Sequence, residues 1–312
     1  MIFFACLLPS LLLAYLVYRV DRFREPFWKF QIAFCIGLLS PLWTLQLAGI
    51  TTLGGALDGP LMGALFAAAL PEELGRAMIL VWLCRLWRDV DEPFDCVVYG
   101  AAIWAGFAAT ENLMYALDDP EDPAMLLALR TTLCTTGHTA YGAVLGAFVG
   151  MGLFVKDEQQ KWWGIGLAIT VGAHALYNGL LASAGIWDLG QTPMMTAYVV
   201  DAVMLAFAIF VILRMLRAQS LSSVEGARLE DQLRLMHRWV EDDTGTATQT
   251  ARAFGLYGVL LTLCSQLLLF GTAYALFDQD YVGALGAGVL LFATVRTLLR
   301  RLIAVEANTS ES

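Results

Sequence analysis

The chain has 312 residues, 58% hydrophobic and only 15% charged, with 28 acidic against 19 basic side chains and a formal charge of -9. A soluble domain carries roughly 25% charged residues, so the composition excludes an ordinary soluble fold and points to a membrane protein. The acidic balance leaves no basic face to meet phosphates, which excludes nucleic acid as a partner.

A spanning helix needs roughly 20 mostly apolar residues. In chain order, the apolar runs predict nine such helices, at 2–18, 30–50, 60–84, 96–117, 124–154, 163–186, 194–213, 254–277 and 282–303. The first lacks the positive flank and small-residue cleavage site of a signal peptide and reads as a retained span. Pro71 falls inside the third, where a kink or break is expected. The fifth is long enough to tilt or to begin with an interfacial turn. The predicted fold class is therefore all-α, a polytopic membrane helix bundle. Six cysteines, Cys6, Cys35, Cys84, Cys96, Cys134 and Cys264, lie in or beside these runs without a CxxC pair, and read as small apolar residues.

Lys and Arg set the orientation. With the N-terminus outside and the C-terminus cytoplasmic, all but two of the 19 basic residues fall on the inner side, and the two exceptions, Arg76 and Arg130, lie within spans. The outer connections, TTLGGALDG, DDPEDP, WDLGQTP and DQD, carry no basic residue. The one sizeable polar segment, 214–252, reads as a cytoplasmic amphipathic helix on the membrane surface followed by the linker DDTGTATQT. Leu229, Leu233, Met236 and Val240 form its apolar face. A hairpin of two spans over 253–303 and a polar tail at 304–312 complete the chain.

A charged side chain at mid-bilayer costs about 2.5–3.5 kcal/mol even on the mild translocon scale, so it must line a polar cavity or find a partner. The third span holds Pro71-Glu72-Glu73-Leu74-Gly75-Arg76, with Glu72 and Arg76 four apart on one face. Two carboxylates against one Arg leave an unpaired negative charge, suited to accepting a proton. The bland alternative is a structural salt bridge. The fourth span carries Glu111, Asn112 and Tyr115 towards its outer end, where a Glu is cheaper. In the fifth, His138, Gly142, Gly146 and Gly150 repeat every four residues, a stripe that permits close helix approach. In the sixth, His174 and Asn178 share a face. A lone membrane His is commonly an interhelical hydrogen bonder, but two of them beside two Glu-bearing spans form a set that can activate water and stabilise an oxyanion. The same groups fit Zn²⁺ held by two His and one Glu. The HExxH motif is absent, so any metal site is assembled from separate helices. His237, on the cytoplasmic segment, reads as surface.

PEELGR, ATENLMYAL, GHTAYGAVLGA and AHALYNGLL, in this order on successive spans, resemble the PrsW family of intramembrane metalloproteases, which is related to the type II CAAX prenyl endopeptidases. The resemblance covers roughly residues 60–185, taken as the catalytic core of a transmembrane bundle over 1–213. It implies a double Glu that activates water, with Glu72 the first candidate and Glu73 the second. It implies that Arg76 anchors these carboxylates, that Glu111 belongs to the site, that His138 orients the water, and that His174 and Asn178 hold the oxyanion. Any zinc would sit on His138, His174 and Glu72. Arg76 stands three residues after the second Glu where the prenyl endopeptidases tend to have it four after, which favours the PrsW branch. That branch implies a bacterial inner-membrane, multi-pass enzyme cutting membrane-anchored proteins such as anti-sigma factors. Two other readings of the same polar groups are a proton-coupled transporter and a non-catalytic binding or immunity protein on the same fold.

Overall fold

The computed structural model describes residues 2–52, 59–118, 123–155, 158–186 and 192–221, together with Leu290 and Ala293. The eighth and ninth predicted spans, the segment 222–252 and the tail therefore lie outside the described residues, those two positions apart.

Every regular element among the described residues is helical. α1 (Ile2–Val20) is followed by α2 (Phe27–Leu39) and α3 (Pro41–Thr52), which meet at an angle of 41°. The bend falls at Ser40–Pro41, where proline cannot donate to the helical ladder and the Ser40 hydroxyl bonds the Gly37 carbonyl at 2.7 Å. α4 (Pro60–Gly63), a π-helical stretch (Ala64–Ala69) and α5 (Leu70–Leu86) follow one another without a break. The break expected at Pro71 takes this form: the proline ring excludes a normal bond to the carbonyl of Ala67, and the ladder widens just upstream. α6 (Pro93–Asp118) is followed by α7 (Pro123–Leu129), a second π-helical stretch (Arg130–Cys134) and α8 (Thr135–Phe154). α9 (Gln159–Ile186) and α10 (Thr192–Leu221) complete the described bundle. α10 runs eight residues past the predicted end of its span at 213.

Each of the seven predicted spans within the described residues coincides with helix. Ile2–Val20, Leu126–Phe154, Gln159–Ser183 and Thr196–Leu216 are long and apolar enough to cross a bilayer, and the bent α2–α3 pair makes a fifth. The surface fits such surroundings: Phe3, Phe4, Leu8 and Leu12 of α1, Leu42 of α3 and Met78 and Trp82 of α5 are all exposed, while Glu73, Arg76 and Asp201 within the helices are buried.

α6 and α8 form the centre. α6 is buried without interruption from Pro93 to Ala109, and α8 from Thr135 to Gly152. They pack on each other most extensively, with α1 and α2 against α6, and α9 and α10 against α8. The glycine stripe explains the closeness. A Cβ on Gly142 would overlap the carbonyl oxygen of Gly100, and one on Gly146 would overlap that of Cys96. Backbones thus meet directly, as the four-residue repeat predicts, and His138, one step earlier on the stripe, is pressed against α6.

Candidate active site

Two parallel relays of Arg, Glu and His define the site. In the first, Glu73 is fully buried and both oxygens of its carboxylate have partners. Oε1 accepts from Arg76 Nη2 at 2.7 Å and meets His174 Nδ1 at 2.9 Å, while Oε2 accepts from the indole N–H of Trp104 at 2.7 Å. The Arg76 guanidinium lies 3.7 Å from the centroid of the Phe107 ring, a cation–π contact inside the bundle. A carboxylate only accepts, so Nδ1 of His174 carries its proton and Nε2 keeps a lone pair. That lone pair accepts from Asn178 Nδ2 at 3.1 Å and faces Glu72 Oε2 at 4.0 Å.

In the second relay, Arg130 Nη2 stands 2.8 Å from Glu111 Oε2, as an ion pair without hydrogen-bond alignment. Arg130 Nε donates to Asn112 Oδ1 at 3.0 Å, and its guanidinium covers the Tyr115 ring at 3.7 Å. Glu111 Oε2 in turn meets His138 Nε2 at 3.2 Å. By the same reasoning the proton is on Nε2, and Nδ1 of His138 is a bare acceptor. It is buried and has no hydrogen-bond partner.

The relays converge. The two imidazoles lie 5.0 Å apart, nearly perpendicular. One ligand atom each from Glu72, His138 and His174 falls within 4.8 Å of the others. Glu72 is held more loosely than Glu73: Arg76 Nη2 is 3.5 Å away, and its side chain is 17% exposed against 0% for Glu73. A cavity of about 360 Å³ opens beside the imidazoles, lined among others by Glu111, Arg130, Tyr141, Tyr177, Asn178 and Asp201. Glu72 does not line it.

All seven residues singled out in the sequence therefore gather here: Glu72, Glu73 and Arg76 from α5, Glu111 from α6, His138 from α8, and His174 with Asn178 from α9. The sequence reading missed four others. Arg130 is noted there only as a basic residue lying within a span, yet it closes the second relay. Trp104 carries no charge and looks like core. Asn112, named only within the Glu111 motif, holds Arg130 and donates to Thr135 Oγ1 at 2.9 Å. Asp201 of α10 is an acid inside a predicted span, so the cost argument that flagged the others reaches it too. It is 1% exposed and lies so close to α8 that a Cβ on Gly137 would overlap its Oδ1.

The donor set fits a metal. A carboxylate oxygen and two imidazole nitrogens are the ligands of many catalytic zinc sites, each imidazole is held through its other nitrogen by a carboxylate as ligating histidines are, and the orphaned Nδ1 of His138 lacks any other use.

A helical bundle with apolar outer faces that buries two Arg–Glu–His relays beside a cavity defines a membrane protein with a polar site in its interior. Comparison with known proteins identifies the group. The family model described as PrsW family intramembrane metalloprotease matches residues 25–213, and the chain belongs to that family. Among curated relatives, Protease PrsW of Oceanobacillus iheyensis is 25% identical over 189 residues, covering 60% of this chain and 86% of the relative. Protease PrsW of Bacillus subtilis is 26% identical over 192 residues, 60% of this chain and 85% of the relative. Protease PrsW of Clostridioides difficile is 20% identical over 195 residues, 60% and 82% respectively. No solved structure matches the chain. The chain is thus a membrane protease, and its surroundings are a lipid bilayer and protein substrates.

Proposed function

We propose that the chain is an intramembrane endopeptidase that hydrolyses a peptide bond of a membrane-anchored protein, with Glu72 as the base that activates water. The convergence of Glu72, His138 and His174 within 4.8 Å carries this reading. Glu73 is unsuited to the base role because three donors already occupy its two oxygens. It holds His174 in one tautomer instead, as Glu111 holds His138. Glu72 takes a proton from water, and the resulting hydroxide attacks the scissile carbonyl. Asn178 carries the amide N–H that would steady the oxyanion, and His174, whose Nε2 keeps a lone pair, would hold that amide in place. The proton on Glu72 then passes to the leaving amine.

Zn²⁺ is the metal this donor set favours; Glu72, His138 and His174 would hold it, and with its carboxylate so committed Glu72 would give up the base role to the metal. When bound it supplies Lewis acidity to the water and the carbonyl. The full chain is taken as nine spans in a bacterial inner membrane, N-terminus outside and C-terminus cytoplasmic. The catalytic core then lies at about 60–185 within the bundle over 1–213, the surface helix and linker at 214–252, the hairpin at 253–303 and the tail at 304–312. The sorting of Lys and Arg supports this topology. An anti-sigma factor or similar anchored regulator is the substrate class that the family resemblance favours.

The test is cleavage of a membrane-anchored candidate substrate by the wild type and by Glu72→Gln and His138→Ala, with zinc content measured on the purified proteins. Both variants should lose cleavage by a factor of at least ~10³, in the range of a removed catalytic group. Cleavage at the wild-type rate by a folded Glu72→Gln protein would overturn the mechanism and favour a non-catalytic role.

A further inference from the structure

At the opposite end of the bundle from Glu111, the connection between α1 and α2, that between α5 and α6, and the end of α10 meet around a second polar cluster. Asp21, Glu92 and Asp95 are 2%, 0% and 1% exposed, and one oxygen from each lies within 4.8 Å of the others. Gln219, on the last turn of α10, is equally buried. Its Nε2 donates to Asp21 Oδ1 at 2.9 Å and to Glu92 Oε1, and its Oε1 accepts from the backbone N–H of Arg22 at 3.3 Å. A single neutral amide thus bridges two buried carboxylates.

The third carboxylate keeps one oxygen that nothing satisfies. Asp95 Oδ2 caps the start of α6, accepting from the N–H groups of Asp91 and Glu92 at 3.1 Å each. Asp95 Oδ1 is buried and has no hydrogen-bond partner. One turn further along the same face of α6, the fully buried Tyr99 has a hydroxyl in the same condition. A buried carboxylate oxygen without a partner is costly, and the acids beside Asp95 add to the cost of charging it. The neighbouring Lys29 is committed to Glu25 at 3.5 Å and to Asp89. Glu25 and Asp91 also place an oxygen within 4.8 Å of Asp95, so acids surround it on two sides.

We propose that Asp21, Glu92 and Asp95 form a binding site for a hard divalent cation of the Ca²⁺ or Mg²⁺ class, which pins the end of α10 to the two connections. Oxygen-only ligands select such ions over Zn²⁺, so this site differs in kind from the His-bearing centre. Asp95 Oδ1 is the ligand that the protein leaves uncommitted. Turning the Gln219 amide over would present Oε1 as a fourth oxygen. The ion would hold α10, which carries Asp201 into the catalytic cavity, against α6, which carries Glu111.

The experiment uses the full chain in nanodiscs, stripped with EDTA. Mn²⁺ binding is followed by electron paramagnetic resonance, and thermal unfolding is followed with added Ca²⁺, Mg²⁺ or Mn²⁺. A saturable Mn²⁺ site that persists in Glu72→Gln is expected below about 1 mM, within the range of oxygen-ligated sites, together with a rise in melting temperature. Asp95→Asn should weaken Mn²⁺ binding at least tenfold and abolish the thermal shift, and Glu92→Gln and Asp21→Asn should do the same if Asp95→Asn does not fold. Glu72→Gln should leave both readouts intact. Absence of saturable binding in the wild type, undiminished binding in folded Asp95→Asn, or loss of binding in Glu72→Gln would each overturn the proposal. Cleavage by the wild type plays no part in these readouts, so the proposal and the protease mechanism stand or fall separately.

Discussion

Replacing Trp104 with Phe tests whether the first relay is held from outside as the geometry demands. The substitution keeps an aromatic ring in a fully buried position but deletes the N–H that donates to Glu73 Oε2 at 2.7 Å. A hydrogen bond to a charged acceptor contributes about 1.5–3 kcal/mol, and the lost oxygen partner cannot be replaced by water in this core. The smaller ring adds a cavity term of about 1 kcal/mol, so the total is about 2.5–4 kcal/mol. Glu73 would then be free to rotate about its remaining bonds to Arg76 and His174, loosening the imidazole it orients. Loss of such a supporting partner typically lowers activity about 10–100-fold. Trp162→Phe is the control: it is also fully buried, but its N–H donates to Glu158 Oε2 at 2.9 Å, away from the relays. The assay pairs thermal unfolding with the rate of substrate cleavage. Both variants should melt earlier, but only Trp104→Phe should lose activity beyond its loss of folded protein. Equal activity per folded molecule in the two variants would refute the role assigned to the indole.

Arg130→Gln should strip Glu111 of its ion pair and Asn112 of its donor, lowering cleavage at least tenfold while zinc binding weakens; wild-type cleavage in this variant would remove the second relay from the mechanism. Gly142→Leu should destabilise the bundle by about 1–3 kcal/mol or more, because its side chain has nowhere to go but the α6 backbone. Gly164→Ala, whose Cβ would meet nothing within 4 Å, should instead leave the melting temperature unchanged or raise it by gaining about 0.5–1 kcal/mol of helix propensity.

How much of this was legible in the sequence depends on what each residue costs in lipid. Glu72, Glu73, Arg76, His138 and His174 announce themselves because a charged or imidazole group in an apolar run demands an explanation. The glycine repeat announces close packing for a similar reason, since small residues at four-residue steps serve little else in a spanning helix. Trp104 gives no such signal: an indole suits any core, and only the structure shows where its N–H points. Asp201 does give the signal and was passed over, as was the part played by Arg130. The cluster around Asp95 was hidden differently. Asp21, Glu92 and Asp95 fall in or beside short polar connections, where acids ordinarily face water, and their burial depends on α10 continuing to Gln219, beyond the predicted end of the apolar run.

The two π-helical stretches carry a consequence for how the chain tolerates change. A π turn takes up one residue more than an α turn, so Ala64–Ala69 and Arg130–Cys134 each store a spare residue just ahead of Glu72 and His138. Deleting one residue there lets the helix relax to ordinary winding with the downstream side chains still aimed inward. The same deletion a turn later, within α5 or α8, would swing everything beyond it by about 100° around the axis. Length variation should therefore be absorbed at these joints, and a template that assumes one unbroken helix will misplace the upstream face relative to the catalytic groups.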